Sequence, residues 1–194
     1  MEHKSVNEFS IRFLEIGGFV GAFEALHLPF GKDCASAARA YHHLYSDNCL
    51  SYGGNILPSE GDMTLIKKLR HGGDEHAKVL RGITVWVEIN APRYFHTELD
   101  TYRIGAERLG SESTMHIQGK GMSEDELIEM KENLTEGFMQ RRVWMFSYQT
   151  LGRIYHQRHN HRLPQWRTFC EWIKTLPYAQ ELIFGDYQKE EEKE

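Results

Sequence analysis

The sequence predicts a mixed fold of the α/β (α+β) class, in which helices outnumber strands. One observation is the segment 83–89, ITVWVEI, which alternates and is rich in β-branched and aromatic side chains, as strands are. Another is the pair Ser123 and Glu126, whose spacing is that of a capping box at a helix start. A third is Pro164, which suits the first turn of a helix.

Local patterns place further elements in the first half of the chain. Residues 33–46 begin with an aspartate that can cap a helix and are rich in alanine, so they predict a helix. Residues 51–62 have the composition of turns. Residues 63–71 predict a helix that Gly72 and Gly73 end.

The second half holds three more helical patterns and a polar tail. Pro92 ends the predicted strand, and the residues that follow it have helical spacing. Two further helices are predicted at 138–158 and 164–175. The tail 189–194, KEEEKE, predicts a disordered acidic end, so residues 1–188 are expected to form a single domain.

Composition limits the possible classes of function. Of the 194 residues, 40% are hydrophobic and 26% are charged, which is the balance of an ordinary globular domain with a core. The formal net charge of -5 argues against a duplex nucleic-acid binder. The chain shows no secretory signal and no apolar run of about 20 residues. Its cysteines, Cys34, Cys49 and Cys170, suggest no disulfide framework. A protein of the cytoplasm is therefore expected.

The stretch 91–113, APRYFHTELDTYRIGAERLGSES, combines arginines, hydroxyls and aromatic rings. On a helix, Tyr94, Glu98 and Thr101 would share one face, and Phe95, Leu99 and Tyr102 the adjacent one. Guanidinium groups bind anionic oxygens, hydroxyls orient a ligand, and flat side chains stack on a ring. The stretch therefore suits a ligand with a phosphate and a ring, and the alternative is an amphipathic helix with solvated charges.

Two other sets of residues offer different functions. His156, His159 and His161 could bind zinc, but no cysteine or carboxylate nearby completes a ligand set, so no metal site is predicted. A basic patch that binds a polynucleotide is the other alternative, with aromatic rings to stack on bases. Its members would be Arg141, Arg142, Arg153, Arg158, Arg162, Trp144, Tyr148 and Trp166.

The stretch 91–113 resembles the signature of the flavin-dependent thymidylate synthases, also called the thymidylate synthase complementing protein family. That signature runs from an Ala-Pro strand end through a helix to Arg-His-Arg, then seven residues, then Ser. Here Ala91-Pro92 leads without a gap to Thr101-Tyr102-Arg103, and the eighth residue after Arg103 is Ser111. Upstream, residues 65–76, LIKKLRHGGDEH, are similar to the family's helix ending in a Gly-His and Glu-His region.

A second block, residues 131–166, is similar to the family's C-terminal pattern. In this register Lys131 stands where an arginine holds the nucleotide phosphate, Arg158 matches the arginine at the pyrimidine base, and Gln165-Trp166 matches a Gln-Trp pair. The resemblance covers residues 65–180. It implies a thymidylate-synthase-like fold, with a small sheet flanked by long helices, and a homo-oligomer, a tetramer by analogy with the family, whose active sites are shared between subunits.

The chain departs from the family pattern at several positions. Thr101 and Tyr102 replace the first Arg and the His of the Arg-His-Arg motif, and Glu98 replaces the glutamine before it. Ser113 stands two residues after the matched serine, where the family has an arginine. Ser147-Tyr148-Gln149 replaces the family's Asn-Leu-Arg.

The resemblance implies roles for individual residues in binding a dUMP-like pyrimidine deoxynucleotide. Arg158 would be the catalytic residue, because it would stabilise negative charge that develops on the uracil ring. Arg103 would face a phosphate, Ser111 would donate to the phosphate or the sugar, and Lys131 would hold the phosphate as a point charge. Glu98 would lie against the substrate in place of the family's neutral amide.

The resemblance also implies a redox cofactor. The family transfers hydride from reduced flavin to a nucleotide that has received a one-carbon unit from a folate, so FAD, NADPH and a folate donor are the implied cofactors. Flavin contacts would come from His76, Tyr102, Arg103 and Ser147. The first hypothesis is an enzyme of reductive methylation or of a related base modification, phage-encoded and acting in the host cytoplasm. The second is a catalytically inactive binding or assembly protein on the same scaffold.

Overall fold

The computed structural model describes residues 8–32, 58–73 and 75–184. The predicted helix at 33–46 and the predicted acidic tail at 189–194 lie outside these residues. Most of the predicted turn at 51–62 lies outside them as well.

Four strands form one antiparallel sheet in the order β1-β2-β4-β3. The strands are β1 (Ser10–Gly17), β2 (Thr84–Pro92), β3 (Ala106–Ser111) and β4 (Met139–Ser147). The two longest, β2 and β4, lie side by side at the centre. A mixed α/β fold with a small sheet is therefore confirmed.

Along the described chain, helices lie between consecutive strands and after the last strand. Those labelled here are α1 (Phe19–His27), α2 (Glu60–His71), α3 (Arg93–Leu99), α4 (Thr114–Ile117), α5 (Glu124–Glu132), α6 (Tyr148–Arg158) and α7 (Pro164–Lys174). Short 3-10 turns at Leu28–Phe30 and Lys78–Arg81 and a π-helical turn at Ala179–Phe184 complete the described chain. Within the described ranges no helix is long and apolar enough to cross a membrane.

Several local predictions are confirmed. The strand predicted at 83–89 is β2, and it ends at Pro92. Ser123 and Glu126 form a complete capping box at the start of α5, and Pro164 is the first residue of α7. Gly72 caps the C-terminus of α2.

The helix predicted at 138–158 is wrong in its first half, because Met139–Ser147 is β4 and only Tyr148–Arg158 is helical. In β4 the side chains of Trp144 and Phe146 are buried, whereas those of Val143 and Met145 are less so. This two-residue period is that of a strand with one buried face, and the aromatic and branched residues of the segment favour that state.

Two other helix boundaries differ from the prediction. The helix α2 begins at Glu60 rather than Met63, because Ser59 and Asp62 form a capping box that the turn-like composition of the segment hid. The helix after Pro92 ends at Leu99, so it is shorter than its spacing predicted. Beyond it, Gly105 adopts a positive φ of 75° in the turn that leads directly into β3, which the sequence did not predict.

The core lies between one face of the sheet and the helices α3, α6 and α7. Val85, Val87 and Ile89 point from β2 into this core and are fully buried. The rings of Phe146 on β4 and Phe169 on α7 are 5.8 Å apart between centroids. The alternate side chains of β2 point to the opposite face of the sheet.

His96 on α3 is a titratable side chain in this core. It is fully buried, and its Nε2 lies 2.9 Å from the carbonyl oxygen of Gln140. Burial lowers the pKa of His96 from 6.5 to about 4; the carbonyl of Gln140 and the carboxylate of Asp100 oppose this, while Arg142 and Arg108 add to it. The imidazole is therefore neutral at neutral pH.

We predict that His96 makes the fold sensitive to acid. The folded pKa lies below the unfolded value, so the contribution to stability is present above pH 6.5 and is lost as the pH falls towards about 4. Between about pH 7 and about pH 5, this should lower the free energy of unfolding by about 2 kcal/mol.

The check is urea unfolding of the wild type and of His96→Gln at both pH values. Glutamine supplies an N–H donor for the Gln140 carbonyl but does not titrate. We expect the variant to lose less stability on acidification than the wild type does. Equal losses in the two proteins would contradict the assignment to His96.

Candidate functional site

Arg158 is the centre of a cluster of polar and aromatic side chains, here called the Arg158 cluster: Glu98, Tyr102, Arg158, His161 and Trp166. Its Nε donates to the Tyr102 hydroxyl at 2.9 Å, and its Nη1 donates to Glu98 Oε2 at 3.3 Å. Its Nη1 also lies 3.0 Å from His161 Nε2. The guanidinium carbon lies 4.8 Å from the centroid of the Trp166 ring, within the range of a cation–π contact.

Helix boundaries bring the Arg158 cluster together. Glu98 lies in the last turn of α3, and Arg158 is the last residue of α6. Trp166 lies in the first turn of α7, where Pro164 starts the helix, and its indole N–H donates to Glu98 Oε2 at 2.7 Å. The cluster therefore joins the ends of three helices, and Glu98 is its shared acceptor.

The Arg158 cluster is half-buried, with 23% of the Arg158 side chain and 34% of the Glu98 side chain exposed. The Tyr102 hydroxyl also donates to Gln157 at 2.9 Å. Glu98 and Tyr102 are the two departures from the family pattern that surround Arg158, and both bind it directly. The carboxylate of Glu98 therefore supplies the counter-charge of this guanidinium within the chain itself.

A cleft of about 500 Å³ lies beside the cluster, between the end of α3 and the strands β3 and β4. We call it the Trp144 cleft; it is lined by Asp100, Tyr102, Arg103, Ala106, Glu107, Arg108 and Trp144. Tyr102 belongs to both the cleft and the Arg158 cluster. The volume is within the usual range for small-molecule sites.

Asp100 organises the charges on one side of this cleft. It accepts from Arg142 at 3.0 Å and from Arg108 at 3.3 Å. Burial lowers the pKa of Arg142, and the neighbouring carboxylate of Asp100 opposes that shift. Asp100 is therefore neutralised by two arginines, a network that the sequence did not reveal because Arg142 lay in a segment predicted as helix.

A second cleft, of about 630 Å³, lies on the face of the sheet opposite the core, where Glu88 and Asn90 line it together with Thr114. Lys131 on α5 donates to the Thr114 hydroxyl at its edge. No hydrogen bond or ion pair joins Lys131 to the Arg158 cluster among the described residues. Lys131 therefore makes its hydrogen bond at the edge of the second cleft and not at the Arg158 cluster.

The other predicted site residues are dispersed. Ser111 is the exposed last residue of β3 and pairs in register with Arg142 of β4. His76 is exposed in the turn after α2. Ser147 is buried, and its hydroxyl accepts from the Thr150 N–H as the N-cap of α6.

These positions bear on whether one chain can hold a flavin. Of the four predicted flavin residues, Tyr102 and Arg103 line the Trp144 cleft. The Ser147 hydroxyl is occupied as a helix cap, and the Tyr102 hydroxyl is occupied by Arg158 and Gln157. Two of the four residues therefore share one cleft, and we derive no redox step from them.

The same geometry bears on the two alternative functions, a zinc site and a basic patch that binds a polynucleotide. Within residues 8–32, 58–73 and 75–184 no three metal-binding side chains are grouped, and the ring of His161 contacts Arg158. Arg141 and Arg142 are adjacent on β4, so their side chains lie on opposite faces of the sheet. Arg141 pairs with Glu112 and Arg142 with Asp100, so these arginines form no continuous unpaired basic surface.

Comparison with solved structures assigns the class of fold. No protein-family model matches the chain, and no curated protein matches its sequence. The fold nevertheless resembles that of the flavin-dependent thymidylate synthases over nearly the whole chain. This agrees with the fold that the sequence motifs implied.

Two of the similar structures are of the flavin-dependent thymidylate synthase ThyX from Helicobacter pylori with FAD and dUMP. Each has a TM-score of 0.60 and 14% identity; the matches cover 91% and 92% of this chain and 98% of theirs. A third is the UMP/dUMP methylase PolB from Streptomyces cacaoi bound with 5-Br dUMP. It has a TM-score of 0.55 and 11% identity, and the match covers 92% of this chain and 97% of that one.

Proposed function

We propose that this protein binds a pyrimidine deoxynucleotide of the dUMP type at the Arg158 cluster and the adjoining Trp144 cleft. The observation that carries the proposal is that Arg158 binds both Glu98 and Tyr102 in the fold, and all three residues were assigned from sequence motifs. The similar structures of ThyX and PolB contain dUMP or a brominated analogue. A flat ring can stack on Tyr102, which lines the cleft, while the partly exposed Arg158 faces its carbonyl oxygens.

We propose further that the nucleotide is the substrate of a reductive methylation or a related base modification. Arg158 would stabilise charge on the ring, and FAD would supply the hydride when bound. Because Lys131 makes its hydrogen bond at the second cleft and not at the Arg158 cluster, we propose that a second copy completes the site. A tetramer is the assembly that the resemblance implies, and sedimentation of the purified protein measures it.

The second candidate is a nucleotide-independent binding or assembly protein on the same scaffold. Two observations favour it: Arg158 already forms an ion pair with Glu98, and the Ser147 hydroxyl caps α6. In this case the fold would serve as a scaffold without flavin chemistry.

Calorimetric titration with dUMP, deoxyuridine and FAD, together with the visible absorbance of the protein, distinguishes the candidates. We expect dUMP to bind with a Kd in the micromolar range or tighter, roughly -8 kcal/mol. A flavin absorbance that changes on addition of dUMP would support the enzyme, and conversion of dUMP in the presence of FAD, NADPH and a folate donor would be assayed next. A colourless protein that binds neither ligand would overturn the proposal in favour of the scaffold.

A further inference from the structure

Trp144 is the unusual member of the Trp144 cleft. It is only 2% exposed, and its indole Nε1 has no hydrogen-bond partner among the described residues. An indole N–H can donate a hydrogen bond but cannot accept one, so it needs an acceptor within reach. Buried donors are rarely left unpaired in native proteins, so this one is a candidate for a contact with a ligand.

The position of Trp144 follows from the sheet. It pairs with Arg108 on β3 and with Val87 on β2, and its ring stacks on Phe146 at 5.6 Å. These contacts hold the indole in place against the wall of the cleft. A fixed donor loses little freedom when it binds, which favours its use in recognition.

The charges around the cleft favour an anion. Asp100 is neutralised by Arg108 and Arg142. The other acidic residue of the lining, Glu107, pairs with Met145, so its side chain points to the face of the sheet opposite Trp144. The side chain of Arg103 is exposed and makes no hydrogen bond or ion pair with any other described residue. Arg103 is therefore a cation available to a ligand on the same cleft that Trp144 lines.

Access to the indole nitrogen requires movement at the rim. Less than 1 Å² of Nε1 is exposed in the structure. Arg108, whose side chain is 47% exposed, and Arg103 are the flexible side chains at this rim. A ligand would therefore reach the donor only by displacing side chains of the cleft.

We propose that Trp144 contacts the ligand and determines its specificity: its indole N–H donates to a phosphate oxygen of the bound nucleotide, and Arg103 supplies the counter-charge. This inference rests on the proposed function, because it assigns one end of the same nucleotide. It places the phosphate in the Trp144 cleft and the ring on the side of Arg158, with Tyr102 between them.

The test is a titration of the full chain, labelled with ¹⁵N at its tryptophan indoles, with dUMP, deoxyuridine and inorganic phosphate. The resonances are assigned with single Trp→Phe variants. We expect dUMP and inorganic phosphate to shift the Trp144 resonance downfield, and deoxyuridine to leave it in place. The loss of one such hydrogen bond in Trp144→Phe should weaken dUMP binding about fivefold. The matched control, Trp86→Phe, lies on the opposite face of the same sheet and should bind as the wild type does.

Three other outcomes would each contradict part of the proposal. If dUMP binds but the Trp144 resonance does not move, the inference is wrong while the proposed function stands. If deoxyuridine moves the resonance as far as dUMP does, the acceptor belongs to the ring and the phosphate assignment is overturned. If dUMP does not bind to the wild type at all, the proposed function fails, and this inference fails with it. The titration of the wild type decides the matter even if Trp144→Phe folds poorly.

Discussion

Replacing Arg158 by alanine is expected to weaken the binding of dUMP by roughly 30-fold or more, which corresponds to about 2 to 5 kcal/mol for truncating one partner of a charged, partly buried contact. The substitution removes the cation stacked on Trp166 and the donor to Glu98. It also leaves the Glu98 carboxylate without its main counter-charge beside the ligand. Both effects disfavour an anionic nucleotide.

The measurement is calorimetry with dUMP on Arg158→Ala and on the control Arg162→Ala. Arg162 is exposed four residues further along the chain, and it is not part of the cluster. We expect the control to bind as the wild type does. Unchanged affinity in Arg158→Ala would remove this residue from the site.

The companion variant Glu98→Gln separates two roles for Arg158. If Arg158 binds the nucleotide, removing the competing carboxylate should strengthen dUMP binding by a few-fold, on the order of 1 kcal/mol. If Arg158 serves only to hold Glu98 and Trp166 in place, both variants should weaken binding or leave it unchanged. Stronger binding in Glu98→Gln with weaker binding in Arg158→Ala is therefore the result that supports a direct contact.

Much of the Arg158 cluster could be predicted from the sequence because its members lie in two nearly gap-free motifs. The resemblance assigned Glu98 and Arg158 to the substrate and Tyr102 to the flavin, and in the fold Arg158 contacts both of the other two. Spacing alone would not have done so, since Glu98 and Arg158 are 60 residues apart in the chain. That Glu98 pairs with Arg158 was not predicted, because an ion pair between two helix ends depends on the angle at which the helices meet.

The strands β3 and β4 were harder to predict than β2. The segment 106–111, AERLGS, carries charges and a glycine, and it is a strand because β4 pairs with it. Pairing of this kind is set by tertiary contacts and overrides local propensity. The same holds for β4, whose arginines and aromatic residues were compatible with either a helix or a strand. As a result, the orientation of Trp144, and with it the Trp144 cleft, could not be seen before the fold was known.

Replacing Phe95 by alanine is expected to destabilise the protein by about 3 to 5 kcal/mol, the usual cost of truncating a buried phenylalanine. Phe95 on α3 is fully buried, and its ring centroid lies 4.6 Å from that of Trp166 and 5.1 Å from that of Phe9. The cavity would open beneath α3, the helix that carries Glu98. For a chain of this size the melting temperature should fall by roughly 10 °C.

The matched control is Phe30→Ala, because Phe30 is 59% exposed and its truncation opens no cavity. Thermal unfolding of the two variants and the wild type measures the difference, and similar melting temperatures for the two variants would contradict the packing described for α3.

The Phe95→Ala variant also links the core to the Arg158 cluster. Trp166 contacts both the ring of Phe95 and the guanidinium of Arg158, so a more mobile Trp166 would hold Arg158 less firmly. We therefore expect Phe95→Ala also to weaken dUMP binding at temperatures where the variant is still folded, whereas Phe30→Ala should not.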